Sequence, residues 1–243
     1  MKKVSLVLAV VAGCLLSLVG LVAPERVRAG QKGEFVANEA AERLPNIDAI
    51  KQQLRQYHAC TCTCGCYARD FSGQADKAMA FLEKRAAHRA AQEKLALVLD
   101  IDETTLSNWE EMDKVDFTYN SKVFTAWEQE ARAPALDGTL KLYRDARRLG
   151  VSVFFITGRP EEDRAATEKN LRAAGYDGWQ GLSLRGAHRA EQTTAEYKSA
   201  ERGRIVAQGY RLVLNAGDQW SDLSGQPEAE YSVKYPNPFY FIP

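Results

Sequence analysis

The chain has 243 residues and a mass of 27.1 kDa, with 45% apolar and 26% charged side chains. Those values suit one large globular domain or two small ones, and they exclude a disordered tail, a collagen-like fibre and a polytopic membrane protein. Its 32 basic and 32 acidic residues cancel, with a pI near 6.8, so there is no electrostatic footprint for a polyanion. Nucleic acid is therefore not an expected partner, and a small substrate is.

Lys2 and Lys3 precede an uncharged run from Val4 to Ala23, followed by Pro24 and a charged stretch ending in Val27-Arg28-Ala29. The pattern predicts a secretory leader with a small-residue cleavage site, hence a signal peptide or membrane anchor over residues 1–29 and an exported protein, periplasmic or secreted. Val11-Ala12-Gly13-Cys14 has the form of a bacterial lipobox, which would lipidate Cys14, although the apolar run continues beyond it. Left uncleaved, the run is close to the roughly 20 residues that cross a bilayer. Both routes to membrane anchoring stay open.

Residues 30–94 read as a helical extension. Its first part, from Asn38 to Tyr57, is interrupted near Pro45, with Leu44, Ile47, Ile50 and Leu54 at helical spacing. Cys60, Cys62, Cys64 and Cys66 then form a C-x-C-x-C-x-C run. In an oxidising compartment that run favours disulfides or thiols; in a reducing one it would suit a soft metal. The first reading is preferred, because the run lacks the C-x-x-C spacing of a zinc knuckle. A second helix is expected from about Asp70 to Glu93.

The core is expected over residues 95–243. Leu95 to Leu99 is a continuous apolar run ending in carboxylates, the pattern of a strand buried on both faces. Asp137–Leu149, Pro160–Ala174 and Thr194–Gln208 read as helices closed by Gly150, Gly175 and Gly209. Between them lie strands at Val151–Ile156, Leu182–Leu184 and Leu212–Leu214. This alternation predicts an α/β fold: a Rossmann-like, doubly wound parallel sheet with helices on both faces. A small helical flap or cap is expected at about residues 107–134, carrying Trp109, Tyr119, Phe124 and Trp127. These aromatics either stack on a nucleobase or aryl group or pack the flap onto the core.

Ligands of open parallel sheets lie beyond the carboxyl ends of the strands, so the residues following each strand matter most. They are Asp100-Ile101-Asp102-Glu103-Thr104, then Thr157-Gly158-Arg159, then Asn215 to Asp222, with Lys198 in the preceding helix. Asp100, Asp102, Asp218 and Asp222 brought together would repel, which calls for a hard cation such as Mg²⁺. Thr157 and Gly158, the positive end of a helix after Pro160, and Lys198 suit a phosphate group. One carboxylate could attack phosphorus while another, two residues on and facing the same side, moves the proton.

As a set, these segments resemble the four motifs of the haloacid dehalogenase superfamily. More narrowly, they are similar to its acid phosphatase group, which takes in class B-type bacterial enzymes, outer-membrane lipoprotein phosphatases and plant vegetative storage proteins. Leu106-Ser107-Asn108, Phe154-Phe155-Ile156 and Pro236-Asn237-Pro238-Phe239-Tyr240 support the likeness, which runs from about residue 45 onward. It implies Asp100 as nucleophile and metal ligand, and Asp102 as general acid/base offering its backbone carbonyl to the metal. Thr157, Gly158 and Lys198 would hold phosphate. Asp218 would bind the metal, and Asp222 would orient the metal's surroundings or Lys198. The implied activity is an exported, Mg²⁺-dependent acid phosphatase acting on small phosphomonoesters, nucleotide or aryl or sugar phosphates. The alternative is a storage or soft-metal-binding protein on the same fold, since storage members can lack the nucleophile that this chain keeps. Lys169 and Lys234 are weaker rivals of Lys198, Glu103 is expected to point away from phosphate, and His58, His88 and His188 have no ligand spacing.

Overall fold

Leu95 to Leu99 occupy the middle of a five-stranded, wholly parallel sheet, as their uninterrupted apolar character requires. The computed structural model describes residues 45–62, 66–189 and 191–242. Expectations for residues 1–29, Cys14, Cys64 and the His188 side chain lie outside the described residues.

In chain order, helices α1 (Ile47–Ala59) and α2 (Tyr67–Ala87) lead into strand β1 (Lys94–Leu99). The flap helices α3 (Trp109–Lys114) and α4 (Ser121–Glu130) follow, then α5 (Asp137–Arg148) and β2 (Ser152–Pro160). Next come α6 (Arg164–Ala173), β3 (Gly181–Arg185), α7 (Thr194–Ala207), β4 (Tyr210–Gly217), the single turn α8 (Trp220–Leu223) and β5 (Tyr231–Lys234). The strands lie in the order β3-β2-β1-β4-β5. From β1 the chain winds outward first through β2 and β3, then crosses back to β4 and β5, so the topological switch falls at the carboxyl end of β1.

The alternation of strand side chains divides the core in two. Leu95, Leu97 and Leu99 join Phe71, Leu82, Leu142 and Tyr143 of α2 and α5 on one face. Ala96 and Val98 join Tyr197 and Ile205 of α7 on the other. Helix α2 fits its place because Tyr67, Phe71, Ala75, Ala78 and Leu82 fall on one stripe at helical spacing, and all are buried.

Two expected helices are shorter than the sequence suggests. Helix α2 stops at Ala87, and the chain turns through Gln92, whose φ of 63° lies in the left-handed region, before β1 begins. Pro160 does not open a helix: it pairs with Arg185 and extends β2, a 3₁₀ turn over Glu161–Asp163 follows, and α6 starts only at Arg164. In the cysteine run, Cys62 is disulfide-bonded, and the buried Cys66 donates to the Cys62 carbonyl at 3.4 Å.

Candidate active site

Asp100 is the first residue past β1, and its N–H still donates to the Ala216 carbonyl of β4 at 3.0 Å. The sheet thus carries the residue to the switch point, where it is only 7% exposed. Thr105 and Leu106 fold back so that their N–H groups reach the Ile101 carbonyl at 2.8 and 2.9 Å. Ile101 itself is fully buried in the core, leaving Asp100 and Asp102 free to turn the other way.

Lys198, near the start of α7, is buried and donates to both Asp100 and Asp222. Carboxylate oxygens of Asp100, Asp218 and Asp222 all lie within 4.8 Å of one another. Asp222 reaches this place because Gly217 has no side chain: a Cβ there would lie 2.4 Å from the Asp222 Cβ. The Asp222 carboxylate also accepts from the Gln219 N–H at 2.8 Å, which pins the turn between the two aspartates.

Asp102 stands beside this trio. Its carboxylate accepts from Arg159 Nη2 at 2.6 Å and from Asn108 Nδ2 at 2.9 Å. Its side chain remains 24% exposed. Thr157, fully buried, accepts the Arg159 N–H at 3.1 Å, which fixes the β2 end beside Asp102. Beside Gly158 the space is open: no atom lies within 4 Å of where a Cβ would stand. The helix end expected at this anion-holding turn is absent, because the 3₁₀ turn intervenes and brings Glu161, Glu162 and Asp163 instead.

The electrostatics follow from burial. Desolvation, opposed by Lys198 and reinforced by Asp222 and Asp218, raises the Asp100 carboxyl well above the usual range. Burial and Asp222 push Asp218 up to about 6. Burial would lift Asp102 too, but the charge and hydrogen bonds of Arg159 outweigh it and hold Asp102 low. Burial also lowers Lys198, and the two aspartates it touches more than reverse that, keeping it charged. Burial, reinforced by Asp102 and Asp218, pushes Glu103 up to about 8. Asp100, Asp102, Asp218 and Asp222 stand beside two cations, Lys198 and Arg159, and an all-oxygen donor set of this kind suits a hard divalent ion.

Several supporting residues were not singled out from the sequence. Asp218 is oriented by Thr104 at 3.0 Å, Gln219 at 2.7 Å and Asn237 at 2.7 Å. Tyr240 donates to Glu103 at 2.9 Å, and Glu103 accepts from the Asn108 N–H at 2.6 Å, so Glu103 anchors the turn. Arg202 is fully buried and donates to the carbonyls of Asp222, Gly225 and Pro227 at 2.8, 2.8 and 2.9 Å. Asn108 and Asn237 lie in segments already noted for their family likeness; nothing in spacing or periodicity marks Arg202.

The flap aromatics mostly pack inward. Trp127 is 2% exposed, and Trp109 stacks on His58 with centroids 3.6 Å apart; Tyr119 is 77% exposed and stacks on Phe124. Lys169 is exposed, Lys234 donates to its neighbour's carbonyl at 3.0 Å, and His88 is exposed, so none of them joins the cluster.

Residues 28–243 match the family described as HAD superfamily, subfamily IIIB (Acid phosphatase). The chain is 43% identical over 150 residues to "Acid phosphatase 1" of Solanum lycopersicum, covering 60% of this chain and 58% of that protein. It is 37% identical over 161 residues to "Stem 31 kDa glycoprotein" of Glycine max, covering 65% and 63%. It thus spans about three fifths of the length of these curated relatives. The class C acid phosphatase of Bacillus anthracis shares the fold, with a TM-score of 0.65 at 22% identity over 80% of this chain and 86% of that one. Fold, acidic cluster and family match agree: the chain belongs to the acid phosphatase subfamily, IIIB, of the haloacid dehalogenase superfamily.

Proposed function

We propose that this protein is a Mg²⁺-dependent acid phosphatase that hydrolyses small phosphomonoesters through an aspartyl-phosphate on Asp100. The observation that carries the reading is the buried trio of Asp100, Asp218 and Asp222, with Lys198 donating to two of its members. Asp100, Asp218, Asp222 and the Asp102 backbone carbonyl would hold the metal. When bound, Mg²⁺ supplies positive charge against the phosphoryl oxygens.

The chain's own residues do the rest. Thr157 and the open space beside Gly158 receive the phosphoryl group, and Lys198 balances its charge. As the Asp100 oxygen bonds to phosphorus, the ester P–O bond breaks and its electron pair goes to the leaving oxygen, which takes a proton from Asp102; because Arg159 holds that carboxyl low, Asp102 carries this proton at acid pH. Asp102, now ionised, takes a proton from water as that water attacks the phosphoenzyme and frees Asp100. Export to the periplasm or exterior, by a cleaved or membrane-anchoring leader, belongs to the same reading and rests on residues 1–29.

Hydrolysis of an aryl phosphate, with and without chelator, compares the parent with Asp100→Asn. Chelator-sensitive turnover that the variant lacks is expected; equal turnover by both proteins overturns the reading. The mass of the mature protein tests the leader, since acylation at Cys14 and cleavage after Ala29 give different values. The names of storage and stem glycoproteins among the relatives favour a second reading, a protein without turnover, which the same assay separates.

A further inference from the structure

Two neighbouring flap residues reach the two side chains that hold Asp102. Trp127 Nε1 donates to Asn108 Oδ1 at 2.8 Å, and the same amide's Nδ2 donates to Asp102 Oδ1 at 2.9 Å. The next residue, Glu128, places Oε1 3.7 Å from Arg159 Nε, and Arg159 reaches both Asp102 oxygens, Nε at 3.1 Å to each. Trp127 and Asn108 are buried, at 2% and 4% exposure, and Arg159 is 3% exposed, so water does not take the place of these contacts.

An asparagine amide can turn over, and its orientation follows whichever neighbours satisfy its oxygen and nitrogen. With the indole N–H fixed on Oδ1, Nδ2 faces the carboxyls of Asp102 and Glu103, the latter at 3.1 Å. A guanidinium shared between two carboxyl groups is likewise held in place by both. Helix α4 carries both contacts at adjacent positions, and Asn120 caps its start by accepting from Lys122 and Val123 at 3.1 and 3.3 Å.

We propose that Trp127 and Glu128 are positioning residues for proton transfer: the flap aims the Asp102 carboxyl at the leaving oxygen, Trp127 through Asn108 and Glu128 through Arg159. The proposal rests on the phosphatase reading above, in which Asp102 gives its proton to the leaving oxygen as the ester P–O bond breaks. A phenolate with an electron-withdrawing ring departs without that proton, whereas an alkoxide does not. Aim at the leaving oxygen therefore matters for alkyl esters and little for activated aryl esters.

The test measures kcat/KM for glycerol phosphate and for p-nitrophenyl phosphate in the parent, Trp127→Phe, Glu128→Ala and Glu130→Gln. Trp127→Phe keeps an aromatic ring but deletes the N–H, and the expected result is a loss about tenfold greater for the alkyl ester than for the aryl ester. Glu128→Ala, at a half-buried position, is expected to shift the ratio the same way and stands by itself should Trp127→Phe not fold. Glu130→Gln, in an exposed ion pair with Arg132, leaves the ratio at the parent value. Equal losses on both esters, or a parental ratio in both flap variants, overturn the proposal while leaving the phosphatase reading intact. A parent that turns over neither ester overturns the phosphatase reading and this proposal with it.

Discussion

Asn237, in the segment that follows β5, donates a 2.7 Å hydrogen bond to Oδ2 of Asp218, a member of the buried carboxylate trio. Such a contact sets the angle at which a carboxylate meets a metal, and loss of an outer partner of this kind typically weakens metal binding about 10–100-fold. Asn237→Leu is expected to raise the Mg²⁺ concentration for half-maximal activity by about that factor. Metal titration of activity checks it; an unchanged midpoint would mean that Thr104 and Gln219 suffice to hold Asp218.

Lys198 is the cation that Asp100 and Asp222 share, and all three are buried. Removing one partner of a buried charged group strands the others, at a cost of about 3–5 kcal/mol. Lys198→Met is expected to lose that much stability and to lower kcat/KM by about 100-fold or more, because the phosphoryl charge loses its partner as well. Denaturant titration and steady-state kinetics read the two effects separately.

Among the described residues Arg202 makes no ion pair; it directs its donors to backbone carbonyls from Asp222 to Pro227. Hydrogen bonds from a charged group contribute about 1.5–3 kcal/mol each. Arg202→Met would delete these bonds, leaving the Asp222 carbonyl to Asn215 and the exposed Gly225 carbonyl to water, so the variant is expected to lose about 1.5–3 kcal/mol, with weaker competitive inhibition by inorganic phosphate as Asp222 and Lys198 shift. Thermal melts and inhibition constants test the two halves.

His58 lies against Trp109 with the rings 5° from parallel, and burial lowers its pKa, a weaker upward pull from Asp113 notwithstanding. In the unfolded chain the ring takes a proton near the ordinary value of about 6.5, so below that pH the unfolded state binds more protons than the folded one. This residue's contribution to stability is therefore full above about pH 6.5 and falls with pH until the folded ring is itself protonated. His58→Phe keeps the stacking and removes the titration. The parent is expected to lose more stability than the variant between about pH 7.5 and about pH 5, read by urea denaturation at each pH.

The strands were legible because a sheet buried on both faces demands runs such as Leu95–Leu99 and Val153–Ile156, and the carboxylates that end them mark the site edge. Strand-end logic gathered Asp100, Asp102, Asp218 and Asp222, of which Asp100, Asp218 and Asp222 form the close trio. Lys198 is different: helical periodicity does not say which of several lysines is buried, and family likeness supplied the choice. The Arg159–Asp102 contact depends on β2 continuing as far as Pro160, whereas a proline after a glycine and an arginine reads as a helix start. Pairing with Arg185 overrode that local preference. Arg202 and Asn237 act on backbone and side chains brought near by the crossover between β3 and β4 and by the path after β5, and no local pattern encodes such proximity.

The wiring of Asn237 to Asp218 and of Tyr240 to Glu103 has a temporal side. A ribosome makes Asp100 early and these outermost supports more than a hundred residues later, so a nascent chain holds Asp100 long before the pocket around it can close. Until the residues around 237 to 240 emerge, Asp218 lacks its Asn237 partner and Glu103 its Tyr240 partner, so the outer hydrogen-bond ring of the pocket closes last.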